Sequence, residues 1–427
     1  MMMHLAAKTN APTLFVTGGW GYGNIGDDAI LLATLRSVRA SFPRAVLHVS
    51  SFSPPETKFH HAIDAQRSFH SFLDLRTWKG RTNFARFAIW LILRSLGIRA
   101  SRVVGVGFRE LLDCLEDSDL VVMAGGGYFN DRWRGSFIAR IAEICASRAA
   151  RTPILIYGQT VGPFASGLSR IVMPTVLGFV SRIAYRDVQS EHVLRSFGYP
   201  TSRSVLTADE ANLIPVEDQS PRRKGLDDPA KLKVGVMIQK FRPYEGPDGT
   251  KEFSDVDNEG TYFEIIVNVL VRLYRDIEAD FVFLPSTTWD VPFCSSVQEA
   301  VQDRLGKQFR VIVDRPVAEY LEHCRSVDLM LSTNMHPIIL ASAAGIPCVA
   351  ISYFYKVDDF MESIGLQRFV IRIDKINEAA LVQLAQDALN SRHSIHDSLV
   401  PELEAIRVRA HRNIEQLVEL ANEIPAT

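Results

Sequence analysis

A chain of 427 residues, 47% hydrophobic and 22% charged, has ordinary globular composition and enough apolar material for two domain-sized cores. A formal net charge of −2 supplies no global drive toward nucleic acid. Five cysteines without a CxxC pair exclude a disulfide framework and read as reduced packing residues of a reducing, cytoplasmic compartment.

The first residues, MMMHLAAKTNAP, are too short and polar for a secretory signal, so none is expected. Thr13 to Thr17 is a short apolar run stopped by Gly18 and Gly19, the pattern of a buried strand. A helix is predicted from Asp27 to Ala40, with Asp27 and Asp28 in its first turn, where the helix dipole favours acids. Between the two lies GGWGYGNIGDD, too glycine-rich for a turn alone. It is not a P-loop, since no Lys-Ser/Thr follows, and its match to GxGxxG is weak. Gly23 allows backbone to approach a ligand closely, and Asn24 and Asp27 place polar groups at a helix start. The plain alternative is a tight strand-to-helix turn capped by Asp27.

A second strand is predicted at Ala45 to Ser50. Phe84 to Ile98 is the longest apolar run, but Arg86 and Arg94 interrupt it, and it falls short of a membrane span. From 75 to 109 the chain carries Arg76, Lys79, Arg81, Arg86, Arg94, Arg99, Arg102 and Arg109 and no acid. That segment reads either as a peripheral contact with an anionic membrane surface or as a core helix with a solvated basic face.

A third strand, Leu120 to Ala124, ends at Gly125, Gly126 and Gly127 and leads to Asn130 and Asp131. Consecutive glycines cost folding entropy, and backbone N–H contact with an anion is one reason to keep them. A helix follows from Ser136 to Ala149, then a strand from Pro153 to Tyr157 leading into Gly158-Gln159-Thr160. Ser181 to Tyr185 is a strand leading into Arg186-Asp187, with a helix from Gln189 to Phe197.

Residues 217–232, charged and with two prolines, read as a linker between an N-terminal domain, 1–216, and a C-terminal domain, 233–395. The alternation then restarts. Strands are predicted at Val234 to Ile238, Asp280 to Leu284, Arg310 to Val313, Asp328 to Leu331 and Cys348 to Ser352. Helices are predicted at Thr261 to Ile277, Val317 to Cys324 and Pro337 to Ala344, with a C-terminal helix within 396–427 that starts at Glu402. Strands alternating with long helices imply an α/β protein of two Rossmann-like, doubly wound parallel-sheet domains facing a cleft. Ligands of such sheets bind beyond the carboxyl ends of the strands.

In the second half those strand ends carry Lys240 and Arg242, then Asn334-Met335-His336-Pro337, then Lys356. With Pro337 at the first helical position, His336 falls near the N-cap, poised for proton transfer or anion contact. A structural histidine and a plain surface lysine are the alternatives.

Taken in order, GNIGDDAIL, AGGGYFND, YGQTVGP, YRDVQSEHVLRSFG, a His-helix-AGIP segment and SYFYKVDDFMESIGL resemble the polysaccharide pyruvyl transferase family from about Thr13 to Leu366. The resemblance implies a GT-B-like architecture and transfer of pyruvate from phosphoenolpyruvate to a sugar of a surface polysaccharide or its lipid-linked precursor, forming a ketal. It implies conserved cationic and His positions at Arg186, His336 and Lys356, and the expected donor site comprises these with Lys240, Arg242 and Asn334. Acceptor-binding positions fall at Gly23, Asn24, Asp27, Gly126, Gly127, Asn130, Asp131 and Gln159. His336, Asp131 and Arg186 carry the chemistry, with no cofactor and no metal. The family usually has Arg two residues before the His, where this chain has Asn334. That departure keeps open a sugar-nucleotide glycosyltransferase of the same architecture and a non-catalytic member of a polysaccharide-assembly complex. The expected location is the cytoplasm or the inner face of the membrane.

Overall fold

A computed structural model describes residues 11–132, 134–214, 232–246, 250–252, 259–313 and 316–424. It divides into two compact units: the described parts of Met1–Tyr22, Asp27–Leu213 and Arg407–Thr427, and those of Gly23–Gly26 and Ile214–Ile406. All of the predicted linker except Leu232 lies outside the described residues.

The first unit is built on seven parallel strands: β1 (Thr13–Thr17), β2 (Val46–Ser51), β3 (Ala65–Arg67), β4 (Leu120–Phe129), β5 (Ile154–Val161), β6 (Arg182–Tyr185) and β7 (Ser204–Leu206). Their order across the sheet is β3-β2-β1-β4-β5-β6-β7. Helices α1 (Ile25–Ser41), α2 (Pro54–His61), α3 (Phe69–Phe72), α4 (Trp78–Ser95), α5 (Val106–Glu116), α6 (Arg134–Ala150), α7 (Gly167–Gly178) and α8 (Val188–Ser196) lie along its connections. Alternate strand residues point to opposite faces, so each strand feeds two cores. Leu14 and Val16 join Leu31, Leu35 and, from the C-terminal helix, Leu417 and Val418 on one face. Phe15, Val121 and Met123 join Phe87, Trp90, Phe108 and Leu111 on the other.

The second unit repeats the plan with β8 (Lys233–Met237), β11 (Asp280–Phe283), β12 (Arg310–Val311), β13 (Leu329–Ser332), β14 (Cys348–Ser352) and β15 (Val370–Arg372), ordered β12-β11-β8-β13-β14-β15. A small antiparallel pair, β9 (Tyr244–Glu245) and β10 (Lys251–Glu252), stands apart from that sheet. Its helices are α9 (Glu259–Ile277), α10 (Val291–Leu305), α11 (Val317–Arg325), α12 (Met335–Ala343), α13 (Tyr355–Ser363), α14 (Glu378–Asn390) and α15 (Arg392–Glu423), the last shared with the first unit from Arg407 onward. In both sheets the strand order therefore reverses once, between β1 and β4 and between β8 and β13. Those are the switch points where doubly wound sheets bind ligands.

Three differences from the sequence reading have physical causes. The triple glycine does not end β4 but lies within it, because β5 also runs on and pairs Gly126 with Gln159 and Phe129 with Val161. The register shifts there, at a Gly126 with φ of 137°, a conformation a side chain would strain. The helix expected at Pro337 starts at Met335 instead, which places Pro337 in the first turn, where its missing N–H has no intrahelical partner to lose. The C-terminal helix starts ten residues ahead of the expected Glu402 and runs through Pro401. Pro401 and Asp397, whose carbonyl loses its bond there, both face solvent, where water can replace the donor.

Candidate functional site

In the first unit the switch point lies between the loop after β1 and the end of β4. Trp20 folds back under that loop and donates its indole N–H to the Ser50 carbonyl at 2.8 Å. Gly18 makes room for it, since a Cβ there would stand 2.0 Å from the indole ring. Part of the glycine richness thus serves the chain's own packing. Asp27 is buried in the first turn of α1 and accepts the Tyr22 hydroxyl at 2.6 Å. It stands beside the glycines: a Cβ on Gly126 would meet its Oδ1 at 3.5 Å, and one on Gly19 its Cγ at 3.3 Å. Tyr128 lies against the same two glycines and donates to the Ala124 carbonyl, which also accepts from Gln159 at 3.3 Å. Burial pushes the Tyr128 phenol up, so it stays protonated. Asn130 closes the turn by donating to the Gly127 carbonyl at 2.6 Å. Asp27, Gly126, Gly127, Asn130 and Gln159 are therefore gathered around one strand end.

Asp131 points elsewhere. Its two carboxylate oxygens accept the backbone N–H groups of Ala165 and Ser166 at 3.1 and 2.7 Å, anchoring the turn before α7. Burial raises its pKa, but the bonds from Ser166, Ser169 and Ala165 outweigh that and hold it below the usual range. Arg186 is also committed. It pairs with Asp209, each side chain 6% exposed, and its Nε donates to Thr160 Oγ1 at 3.0 Å. Deeper still, Arg140 and Glu143 form a fully buried pair at 2.8 Å beneath β1, where Thr17 Oγ1 bonds both.

The second unit's switch point carries a different chemistry. Asn334 sits at the N-cap of α12, yet its side chain does not cap the helix. Its Nδ2 donates to Ser286 Oγ at 2.7 Å and, more weakly, to Asp290 Oδ2 at 3.4 Å; its Oδ1 accepts from the Tyr353 hydroxyl at 3.3 Å. The Asp290 carboxylate accepts the Thr287 N–H and hydroxyl at 3.0 and 2.8 Å. Burial raises its pKa, opposed by the Thr287 bonds and by the Arg242 guanidinium. Ser286, Thr287, Asp290 and Tyr353 went unnoticed in the sequence. The signal was present in Ser-Thr-Thr-Trp-Asp, a polar run just past a strand.

The second unit also includes Gly23–Gly26. This segment lies against the same polar run: Asn24 bridges Thr287, Ile25 N–H donates to the Ser286 carbonyl at 2.9 Å, and Thr288 N–H donates to the Gly23 carbonyl at 3.1 Å. Asn24 Oδ1 accepts the Gly26 N–H at 3.0 Å. The His336 imidazole, half-buried in the first turn of α12, packs so tightly on Gly26 that a Cβ there would lie 2.1 Å from Nδ1. Gly23 and Asn24 thus lie in the same unit as His336 and Asn334. Lys356, half-buried in the first turn of α13, stacks its ammonium 5.2 Å from the Phe354 ring centroid. Lys240 and Arg242 are exposed after β8, Lys240 pairing with Glu259 at 2.8 Å.

Several solved structures share this fold. S. aureus MnaA, solved with UDP, is 12% identical with a TM-score of 0.58, covering 97% of this chain and 99% of its own. A putative UDP-N-acetylglucosamine 2-epimerase from Listeria monocytogenes is 12% identical with a TM-score of 0.59 and 95% coverage of both chains. Anabaena HepE, solved with UDP and glucose, is 13% identical with a TM-score of 0.56, covering 96% and 100%. At such identities the likeness establishes the GT-B-type fold. The family model for polysaccharide pyruvyl transferase matches residues 24–353, a span that starts just past β1 and its glycine loop and takes in β4, β8 and β13. The chain is thus a member of the polysaccharide pyruvyl transferase family, a family of transferases.

Proposed function

We propose that the protein transfers pyruvate from phosphoenolpyruvate to a saccharide of a surface polysaccharide or its lipid-linked precursor, at the cytoplasmic face of the membrane. The observation that carries this reading is the second switch point, where His336 stands in the first turn of α12 beside the N-cap Asn334. An imidazole at a helix N-terminus can hold a proton close to a bound anion. His336 protonates the methylene carbon of the enol phosphate, which makes C2 electrophilic. A sugar hydroxyl adds at C2 and gives up its proton. Phosphate leaves with the C–O electron pair, and a second hydroxyl closes the ketal, releasing another proton. Lys356, Arg242 and Lys240, with the α12 N-terminus, offset the donor's charge. Arg186 serves by shaping the end of β6, since Asp209 already meets its charge. On the acceptor side Asp27 is the base, held by Tyr22 and packed with Tyr128 against Gly19 and Gly126. Asp131, with its depressed pKa, positions the α7 turn.

Phosphate release from phosphoenolpyruvate in the presence of saccharide acceptors tests the reading. His336→Ala should lower turnover by ~10² or more with an unchanged unfolding profile. Normal turnover would remove His336 from the mechanism.

One observation favours a second reading, a sugar-nucleotide transferase. Asn334 takes the place of a cation and is bonded beside the Asp290 carboxylate, which disfavours a second carboxylate there, a group that phosphoenolpyruvate carries and UDP-glucose lacks. The fold neighbours named above were solved with UDP or carry a UDP-sugar in their names. Calorimetry with phosphoenolpyruvate and with UDP-glucose separates the two: heat with UDP-glucose alone selects the second.

A further inference from the structure

We infer that the outward face of α4 is a docking surface for an anionic lipid bilayer. The helix has two apolar faces, and the sheet needs only one. Asn83, Phe87 and Trp90 are buried, the two aromatic rings within the core under β1 and β4. A second stripe, Trp78, Ala85, Ile89 and Ile92, continues to the C-cap residue Leu96 in steps of three, four and seven, so these side chains share the opposite side. Trp78 is 83% exposed, Ile89 50%, Ile92 63% and Leu96 72%. A helix that merely covers a core would place charged residues along that stripe.

The charges flank the stripe instead. Arg86 borders one edge and Arg81 the other, with Lys79 beside Trp78 at the helix start, all exposed, and no Asp or Glu occurs between Leu75 and Arg109. Exposed Ile98 and Val106 lie just beyond the helix. An aliphatic and tryptophan ridge rimmed by cations fits a bilayer surface, with the ridge among the acyl chains and the cations at the phosphates. It does not fit a second copy of itself. A two-fold contact would set Lys79, Arg81 and Arg86 against the same residues, and interface cores are depleted in lysine. No helix among the described residues is long and apolar enough to cross a membrane, so attachment through α4 is peripheral. Lipid attachment is read without donor or acceptor, so it can fail while the transferase reading stands, and the reverse.

The test is co-sedimentation of the full chain with phosphatidylcholine vesicles, with and without phosphatidylglycerol. Binding is expected on the anionic vesicles at about 0.05 M salt and should fall at least ~10-fold at about 0.5 M salt, where charges are screened. Lys79→Gln/Arg86→Gln should weaken it ~25-fold, about fivefold per cation. Ile89→Ser/Ile92→Ser/Leu96→Ser should abolish it. These positions are exposed, so circular dichroism should match wild type. Trp289→Ser, an exposed apolar residue of the second unit, should bind as wild type. Absence of binding at low salt would overturn the inference, as would equal binding by the α4 variants or loss in Trp289→Ser. So would a wild-type dimer in light scattering that the triple serine variant dissociates, since that assigns the stripe to a second copy.

Discussion

The two units share a strand order and differ in where they put charge. In the first, two arginines near the sheet are locked away: Arg140 against Glu143, and Arg186 against Asp209. The groups packed around Gly19 and Gly126 are neutral or acidic, namely Tyr128, Gln159 and Asp27, while Arg132 and Arg134 follow β4 on the exposed surface. In the second, Lys240 and Arg242 are exposed and Lys356 half-buried, in a unit that also carries an imidazole at a helix start. Topology supplies both crevices, and side-chain charge decides what each can hold. An anion gains little from a guanidinium already paired with a buried carboxylate, and a polyol gains little from ammonium groups. The same contrast predicts that charge substitutions cost stability in the first unit and ligand affinity in the second.

The largest expected effect is on the buried pair. Arg140→Met leaves Glu143 without its partner under β1 and should destabilise the first unit by ~3–5 kcal/mol, read from its urea unfolding transition. Arg140→Met/Glu143→Leu should recover most of that loss, because removing both charges removes the desolvation cost. A single variant as stable as wild type would refute a structural role for the pair.

The next effect is a pH dependence. Glu210 is fully buried, accepts Tyr157 Oη at 2.6 Å, Asn413 Nδ2 at 2.8 Å and Ser37 Oγ at 2.9 Å, and burial pushes its pKa up to about 7. The folded-state value exceeds the unfolded one, so the folded chain binds the extra proton between them. Its contribution is complete below about pH 4.5 and is lost as pH rises to about 7, a change of up to ~3 kcal/mol. Glu143, raised to about 7 by burial, acts in the same direction. The comparison is therefore wild type against Glu210→Gln, whose stabilities at pH 5 and pH 8 should differ less than the wild type's. Parallel curves for the two proteins would show that Glu210 does not titrate in that range.

The sequence displayed the fold because its signals are local. Apolar runs of five residues, glycine stops and helical spacing located β1, β4, β8, β13 and β14 within a few residues. It was mute on β3, β7 and β15, three-residue strands whose pairing depends on a neighbour. The candidate site divided along the same line. Glycines, Asn24, Asp27, Asn334 and His336 announced themselves by standing at strand ends. The partners of Asp131 and Arg186 lie 35 and 23 residues away in sequence, so their engagement with Ser166 and Asp209 left no local trace. Nor could spacing reveal that Gly23 and Asn24 pair with residues near Thr287.

The smallest stability effect carries the sharpest functional contrast. The Lys240–Glu259 pair is exposed on both sides, 66% and 47%, so Lys240→Ala should change stability by under ~1 kcal/mol. Arg242→Ala removes an exposed guanidinium and should be similarly mild. Each should nevertheless weaken phosphoenolpyruvate binding by about 10-fold, the loss of one charge-assisted contact at ~1.4 kcal/mol, measured by calorimetry at low salt. Arg186→Met should do the opposite, unfolding the first unit earlier while a folded fraction binds donor with unchanged affinity. If Arg186→Met weakened donor binding as much as Arg242→Ala, the division of labour between locked and open cations would be wrong. The ion pair with Asp209 would then have to open when the donor arrives.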